Sequence, residues 1–218
     1  DDVNITAGVL GNVLTLTPAE NFNGTANITV TVDDQVTRLT DTETFLLTVN
    51  AVNDAPVMDA VDDTTTLEDV PLELLLSATD VDDGDVLVYS ATSDDINITA
   101  GVLGNVLTLT PAVDFNGTAN ITVIVTDDGA PVEADSAIFV LTVNAVNDPP
   151  VIDDIAAQVM DEDTILDITL SASDVDDGDV LVYSATSDDV NITAGVLGNV
   201  LTLTPALNFN GTANISVT

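Results

Sequence analysis

The sequence contains no cysteine, no histidine and no lysine, and its only basic residue is Arg38. The lack of cysteine excludes disulfides and thiolate metal sites. The lack of histidine excludes imidazole ligands and the side chain that most often serves as a general base near neutral pH. Because lysine is absent too, a lysine–asparagine isopeptide cross-link cannot brace the fold. A bound metal ion would therefore have to use oxygen ligands.

The charge of the chain is almost entirely of one sign. The 218 residues include 38 acidic side chains and one basic side chain, so the net charge is −37. Phosphate binding needs Lys or Arg, and the composition therefore excludes nucleic acid and anionic membrane surfaces as partners. No apolar run has the length of a membrane span, so we expect no membrane insertion in this segment. With 45% hydrophobic residues the chain can bury a core.

The chain is built from repeats. Nearly the same stretch, DDVNITAGVLGNVLTLTP, begins at Asp1, Asp94 and Asp188, and a second marker, VNAVND, begins at Val49 and again 94 residues later at Val143. A repeat of this length is large enough to fold as a domain of its own. Because the chain starts within the pattern and without methionine, we expect it to be part of a longer protein. We predict the C-terminal half of a repeat over 1–50, a complete repeat over 51–144, and a repeat without its last strand over 145–218.

The local pattern predicts β-structure throughout. In VLTLT, from Val106, apolar and polar residues alternate with a period of two, so Leu107 and Leu109 should face a core. The dipeptide Gly104-Asn105 between two apolar runs predicts a tight hairpin. Seven short strands with turns between them predict an all-β fold of tandem immunoglobulin-like sandwiches joined end to end. The predicted strands of the complete repeat lie near 56–60, 71–78, 85–91, 96–102, 106–110, 118–126 and 136–144, and its predicted large core residues are Tyr89, Phe115 and Phe139.

The acidic residues collect at turns and at the boundaries between repeats. In the complete repeat they form four groups: Asn53-Asp54, Glu68-Asp69, Asp80 to Asp85, and Asp127-Asp128. Turns that follow alternate strands lie at the same end of a sandwich. We therefore expect the turns after the second and sixth predicted strands to meet the linker where the chain enters. So many carboxylates repel one another unless solvent, salt or a bound cation offsets their charge.

Calcium is the cation that suits such a group. Ca²⁺ takes typically about six to eight oxygen ligands, whereas Mg²⁺ demands stricter octahedral geometry and Zn²⁺ prefers imidazole or thiolate. The alternative for each acid is a solvated turn carboxylate without metal. We favour that alternative for Asp83, Asp94, Asp95, Asp188 and Asp189. For Asp85 and Asp179 the sequence does not decide between a calcium ligand and a solvated carboxylate. Calcium is favoured for Asn53, Asp80, Asp82, Asn147, Asp174 and Asp176.

Several motifs resemble those of cadherin repeats. Between Val125 and Val151, an Asp-x-Gly-x-Pro turn precedes an alternating strand and an Asn-Asp linker closed by proline. The stretch DVDDGD resembles the family's Asp-x-Asp calcium motif, and Glu68 and Glu162 resemble its early-strand glutamate. The order in which these motifs recur along the whole chain most resembles bacterial cadherin-like, immunoglobulin-like tandem repeats. Such repeats occur in large calcium-binding surface proteins and adhesins. The chain departs from the family in lacking the mid-domain Asp-Arg-Glu motif and the aspartate that precedes the linker.

The resemblance implies calcium at the junctions between repeats, and the departures imply one or two ions at each junction. The ligands of the junction before the complete repeat would be Asn53, Asp54, Asp80, Asp82 and Asp127. Those of the next junction would be Glu68, Asn147, Asp148, Asp174 and Asp176. Glu162 would serve a junction outside this chain.

We therefore expect a calcium-stiffened, secreted or cell-surface segment that acts as a rod-like spacer in an adhesin or surface filament. Its partners would be neighbouring repeats, with self-association into fibres or binding of receptors and glycans through other domains as further options. The alternative is a halophile-type acidic surface or matrix protein whose carboxylates serve hydration. The Thr, Asn and Ser residues at outward strand positions disfavour that alternative. We expect no enzyme, because aromatic residues make up only 3% of the chain and the paired acids recur in every repeat.

Overall fold

The structure is a computed structural model that describes residues 3–176 and 178–218. The chain divides into two compact units, Asp1–Asn144 and Ala145–Thr218. Regular structure in the described residues consists of β-strands. The same residues contain no helix that is long and apolar enough to cross a lipid bilayer.

The first fifty residues form two antiparallel hairpins. β1 (Ile5–Leu10) pairs with β2 (Val13–Pro18), and β3 (Gly24–Asp33) pairs with β4 (Thr40–Val49). On the second hairpin Ala26 and Ile28 are buried, whereas Phe45 is 41% exposed. The apolar face of this hairpin is thus only partly covered.

Residues 53–144 form a sandwich of two main sheets. One has the strand order β10-β11-β7, the other has the order β6-β13-β12-β9, and β5 pairs with β8. Neighbouring strands are antiparallel except for β6 and β13, which are parallel. The strands are β5 (Val57–Met58), β6 (Thr64–Leu67), β7 (Leu72–Leu75), β8 (Ala78–Thr79), β9 (Val88–Ser93), β10 (Ile98–Leu103), β11 (Val106–Pro111), β12 (Gly117–Thr126) and β13 (Ala134–Asn144).

Each of the seven predicted strands has a counterpart in this sandwich, but the prediction missed β6. The predicted strand 71–78 is divided into β7 and β8. The sequence of β6, Thr-Thr-Thr-Leu, has no apolar alternation, and its partner β13 lies more than seventy residues later in the chain. A local pattern therefore could not reveal it. The predicted hairpin is confirmed, since Leu103 pairs with Val106 and Gly104 has a φ of +63°.

The core of the sandwich lies between the two sheets and follows the predicted alternation. Leu107 and Leu109 are fully buried, as are Ile121 and Leu141 on the facing sheet. Phe139 is 2% exposed, while the other two predicted aromatic core residues pack against this core with partial burial. The period-two pattern therefore identified the inward faces of β11, β12 and β13 correctly.

The second unit contains a smaller core. β15 pairs with β19 and β19 with β18, β14 pairs with β16, and β17 pairs with β20. Leu170, Leu201 and Leu203 are its buried residues among those described. Residues 158–161, which correspond to β6 of the first unit, form no strand. The strands are β14 (Val151–Ile152), β15 (Leu166–Thr169), β16 (Ala172–Ser173), β17 (Ala185–Ser187), β18 (Ile192–Leu197), β19 (Val200–Pro205) and β20 (Ile215–Val217).

Candidate metal centre

Three acidic segments that are far apart in sequence meet in the first unit where the linker enters the sandwich. The side-chain amide of Asn53 donates hydrogen bonds to Asp127 Oδ2 and to the carbonyl of Pro131, both at 2.9 Å. The backbone N–H of Asp54 donates to Asp82 Oδ2 at 2.7 Å. The linker is thereby joined to the turns after β8 and β12. The predicted convergence of these turns on the linker is confirmed.

Asp127 anchors this arrangement at the end of β12. Its side chain is 4% exposed, and Oδ1 accepts hydrogen bonds from the backbone N–H groups of Gly129 (3.2 Å) and Glu133 (2.9 Å). The bond from Glu133, followed by those from Asn53 and Gly129, holds the pKa of Asp127 below its ordinary value. A Cβ at Gly129 would overlap the Asn53 side chain. Glycine at this position therefore lets the linker amide approach the turn.

Carboxylates crowd together beside this anchor. Carboxylate oxygens of Asp80, Asp85 and Asp127 all lie within 4.8 Å of one another. Asp80 Oδ1 accepts the backbone N–H of Asp82 at 3.0 Å, but Asp80 Oδ2 and Asp85 Oδ2 are buried without a hydrogen-bond partner among the described residues. Burial, and then the neighbouring carboxylates led by Asp128, raise the pKa of Asp85 above its ordinary value. Two buried acceptor oxygens thus lack a donor in a group of like charges.

The donor set of this group fits a hard divalent cation. The ligands on offer are carboxylate oxygens, and Ca²⁺ binds such oxygens in flexible geometry. The single basic residue of the chain is not available to the group, because Arg38 pairs with Asp33 at 3.2 Å in the turn between β3 and β4. Buried polar oxygens are rarely left without partners in native proteins. A cation bound between Asp80 and Asp85 would satisfy both orphaned oxygens.

The structure changes which of the predicted residues belong to the carboxylate group. Sequence analysis left Asp85 undecided, and Asp85 is a member of the crowded group, whereas the carboxylate of Asp82 turns to the linker N–H of Asp54. Asp128, which was not among the predicted ligands, accepts the backbone N–H of Val86 at 2.7 Å. The last aspartate of DVDDGD stands directly before the apolar run that leads into β9, and that position was the one available signal for Asp85.

The second unit repeats part of this arrangement. Carboxylate oxygens of Asp174, Asp176 and Asp179 lie within 4.8 Å of one another. The backbone N–H of Asp148 donates to Asp176 Oδ2 at 2.7 Å, as its counterpart does in the first unit, and Asn147 donates to the carbonyl of Asp148 at 2.9 Å. The same sequence motif therefore builds the same contact between linker and turn in both units.

The two predicted glutamates lie apart from these groups within their own units. Glu68 is 4% exposed, and its backbone N–H donates to the carbonyl of Asn144 at 3.0 Å, at the end of β13 opposite to the Asp127 turn. Glu162 is exposed in the turn before β15. Neither belongs to the carboxylate groups around Asp80 and Asp174. Their role as ligands of other junctions stays a prediction.

A family of repeat domains matches this chain. The sequence model described as "Bacterial Ig domain" matches residues 53–139 and 147–218, which is more than half of the 218 residues. The chain belongs to the bacterial Ig domain family. No curated protein sequence matches it significantly.

Solved structures similar to these bacterial Ig repeats include cadherin ectodomains. The extracellular cadherin domains 1–5 of protocadherin gamma B2 have a TM-score of 0.53 at 18% identity, over 93% of this chain and 47% of that one. Human CDH23 EC21–23 (TM-score 0.49, 18% identity) covers 93% of this chain and 72% of that one. The protocadherin gamma B7 EC3–6 structure (TM-score 0.48, 18% identity) covers 100% of this chain, which spans 61% of that one. The likeness to protocadherin gamma B2 shows a shared fold, and the predicted cadherin-like, immunoglobulin-like fold is confirmed.

Two acids that sequence analysis assigned to solvated turns have a structural role in the Ig repeats. Asp94 Oδ1 accepts the backbone N–H of Asn120, and Asp94 Oδ2 accepts its side-chain amide, both at 2.7 Å. Asp188 holds Asn214 at the same two distances in the second unit. The bonds from Asn120, led by the side-chain amide, hold the pKa of Asp94 below its ordinary value. Each carboxylate therefore fastens the turn after one strand to the neighbouring strand segment.

We predict that Asp94→Ala destabilises the first unit at neutral pH and that this effect fades in acid. The folded-state pKa of Asp94 is depressed, so its stabilising contribution is fully present above the unfolded-state value of about 3.9. The contribution is lost as the pH falls through the folded-state pKa. The free energies of unfolding of variant and parent are measured by urea unfolding at pH 7 and in steps below about pH 4. We expect the difference between the two to become smaller as the pH falls. Asp83→Ala, at an exposed position, serves as the control, and a gap independent of pH would contradict the assignment.

Proposed function

We propose that this chain is a calcium-stiffened extracellular segment of a large cell-surface adhesin or surface filament, in which it acts as a rod-like spacer. Its bacterial Ig repeats belong to a class of modules that is typically structural and non-enzymatic. Neighbouring repeats of the same chain are the proposed partners, and receptors or glycans would be bound through other domains.

The observation that carries this proposal is the pair of buried, unpartnered oxygens Asp80 Oδ2 and Asp85 Oδ2 next to Asp127. Without a cation, three carboxylates repel one another in a partly desolvated place. A cation with several oxygen ligands removes the repulsion and satisfies both oxygens. Calcium is preferred over Mg²⁺ because these ligands come from turns, whose spacing is irregular. Zn²⁺ is disfavoured because the chain has no imidazole or thiolate.

The linker that contains Asn53 and Asp54 would transmit the effect of ion binding at these carboxylates to the stiffness of the chain. Asn53 is bound to Asp127 and Asp54 to Asp82, so the chain that enters the sandwich is already tied to the two turns that supply the carboxylates. Binding of an ion would hold these turns and the linker in one arrangement. Calcium sites in extracellular modules bind typically at about 10⁻⁴–10⁻³ M. Such affinities suit a protein that is stiff outside the cell, and this supports the proposed location.

The test is small-angle X-ray scattering of the chain in EDTA and in millimolar calcium, at fixed ionic strength. We expect the maximum dimension to increase with calcium and to respond much less to equivalent magnesium, because Mg²⁺ keeps several of its waters. Dimensions that do not respond to calcium would refute the stiffening. A response that follows total ionic strength, whatever the cation, would instead favour a halophile-type acidic surface.

A further inference from the structure

The tetrapeptide Phe-Asn-Gly-Thr occurs three times in the chain. Its asparagines, Asn23, Asn116 and Asn210, are exposed, and none of their side-chain amides forms a hydrogen bond with another described residue. Other asparagines nearby are bound, since the amide of Asn120 donates to Asp94 Oδ2 at 2.7 Å. The function proposed above uses none of the three Phe-Asn-Gly-Thr asparagines.

Packing against the preceding phenylalanine explains the glycine that follows the asparagine. A Cβ at Gly117 would lie 3.1 Å from the Phe115 ring, and a Cβ at Gly211 would lie 2.8 Å from the Phe209 ring. Gly117 also has a φ of +153°, which residues with a side chain rarely adopt. The fold therefore retains an Asn-Gly pair at this position in each repeat.

An Asn-Gly pair is chemically labile. The backbone nitrogen of the glycine, once it has lost its proton, attacks Cγ of the asparagine side chain. A new C–N bond closes a succinimide ring, and the amide nitrogen leaves as ammonia. Water then opens the ring and gives either aspartate or isoaspartate, whose main chain is longer by one methylene group. Water is the only co-reactant, and glycine has no Cβ that would hinder the attack.

The last strand of the complete repeat restrains this attack at Asn116. The backbone N–H of Asp127 donates to the carbonyl of Glu133 at 3.2 Å, next to the last residue pair of β12 and β13. Hydrogen-bonded pairs recur at every second position of an antiparallel ladder, and the pair of Gly117 with Val143 falls on such a position. The N–H of Gly117 is therefore bonded to β13 and cannot attack until this end of the ladder opens.

The first fifty residues have the same restraint in a weaker setting. The backbone N–H of Asp34 donates to the carbonyl of Leu39 at 3.1 Å, and the same alternation makes Gly24 and Val49 a hydrogen-bonded pair of β3 and β4. The apolar face of this hairpin is only partly covered, however, since Phe45 is 41% exposed. We therefore expect its paired end to open more readily than that of β12 and β13.

The second unit lacks the restraint. Gly211 lies outside the strands of this unit, and its described residues include no strand that corresponds to β13. The N–H of Gly211 thus has no partner in a strand ladder. The three glycines that follow the asparagines are restrained most strongly at Gly117, less at Gly24 and least at Gly211.

We infer that Asn23, Asn116 and Asn210 are sites of spontaneous deamidation, and that the hydrogen bond between the following glycine and the last strand of the repeat controls their rate. A repeat whose last strand is displaced thereby gains a carboxylate that a repeat with a paired last strand does not gain. Loss of ammonia makes the change permanent. The inference goes beyond the proposed function and requires no metal ion, because the pairing involves none of the carboxylates proposed to bind calcium.

The test is incubation of the full chain in mildly alkaline buffer with EDTA, followed by proteolysis and tandem mass spectrometry. The tetrapeptide is identical at the three sites while the flanking sequences differ, so one sample gives three rates with the same intrinsic reactivity. We expect Asn210 to lose its amide at least about tenfold faster than Asn116, with Asn23 between them, because opening a paired strand in a packed unit costs free energy. Equal rates at the three sites would overturn the inference.

Two controls separate the strand pairing from other effects. In concentrated guanidinium chloride the three rates should become equal, and a difference that persists there would assign the order to sequence instead of pairing. Phe139→Ala loosens β12 and β13 and should accelerate deamidation at Asn116 without changing the rate at Asn210. Phe45→Ala, in β4, should leave the rate at Asn116 unchanged. A rate at Asn116 that does not respond to Phe139→Ala would contradict control by the last strand.

Discussion

Asp85→Ala is expected to weaken calcium binding at the first unit at least tenfold, by analogy with the loss that follows removal of groups that support a metal site. Asp85 contributes one of the two buried oxygens without a hydrogen-bond partner, and its carboxylate lies within 4.8 Å of those of Asp80 and Asp127. The measurement is a calcium titration of the ¹⁵N-labelled chain followed by NMR. The amide signals of Asp54 and Gly129 report on this group, because both amides donate to carboxylates beside it.

The matched control is Asp83→Ala, which removes an exposed carboxylate of the same motif and should leave the affinity unchanged. Asp85→Ala should also change the stability of the first unit in opposite directions in the absence and in the presence of calcium. Without calcium, loss of a repelling carboxylate should leave the first unit at least as stable as the parent, whereas with calcium the parent should be the more stable protein. Equal affinities of Asp85→Ala and Asp83→Ala would contradict the proposed site.

Phe139→Ala is expected to cost about 3–5 kcal/mol of unfolding free energy, the usual cost of removing a buried phenylalanine. Phe139 is 2% exposed in the core formed with Leu107, Leu109 and Ile121. The sequence offers a matched control, because Phe45 occupies the same position of the preceding repeat, 94 residues earlier, and is 41% exposed. Phe45→Ala should cost roughly 1 kcal/mol, since less apolar surface is lost.

Urea unfolding and amide hydrogen exchange provide the measurement. Exchange of the β12 and β13 amides reports on the core around Phe139, and exchange of the β3 and β4 amides reports on the hairpin that contains Phe45. Phe139→Ala should accelerate exchange in β12 and β13. Similar costs for the two substitutions would show that burial does not decide the stability of these repeats.

Much of the fold was predictable because its signals are local. The alternation around Leu107 and Leu109 identified the buried face of β11, and Gly104-Asn105 identified the hairpin. β6 was not predictable, since Thr64–Leu67 becomes a strand through pairing with a segment more than seventy residues away. A polar edge strand of this kind has no periodicity of its own.

The candidate site was predictable in outline but not in its members. The motif DVDDGD and the turn at Asp127 were expected to meet the linker, and they do. Sequence reasoning could not distinguish Asp82, whose carboxylate binds the linker N–H, from Asp85, which has an orphaned oxygen. The clamp of Asp94 on Asn120 was missed for the same reason, because the two residues are separated by an intervening hairpin.

By itself the sequence determined the class of this protein. Its repeats of 94 residues, its period-two alternation and its supply of oxygen ligands without histidine or cysteine all follow from residue types and local spacing. The tertiary structure decided which carboxylates crowd together, which oxygens remain without a donor and which strands are parallel. These properties depend on distances between segments that are tens of residues apart. Such distances arise only when the core around Phe139 and Leu141 brings the two sheets together.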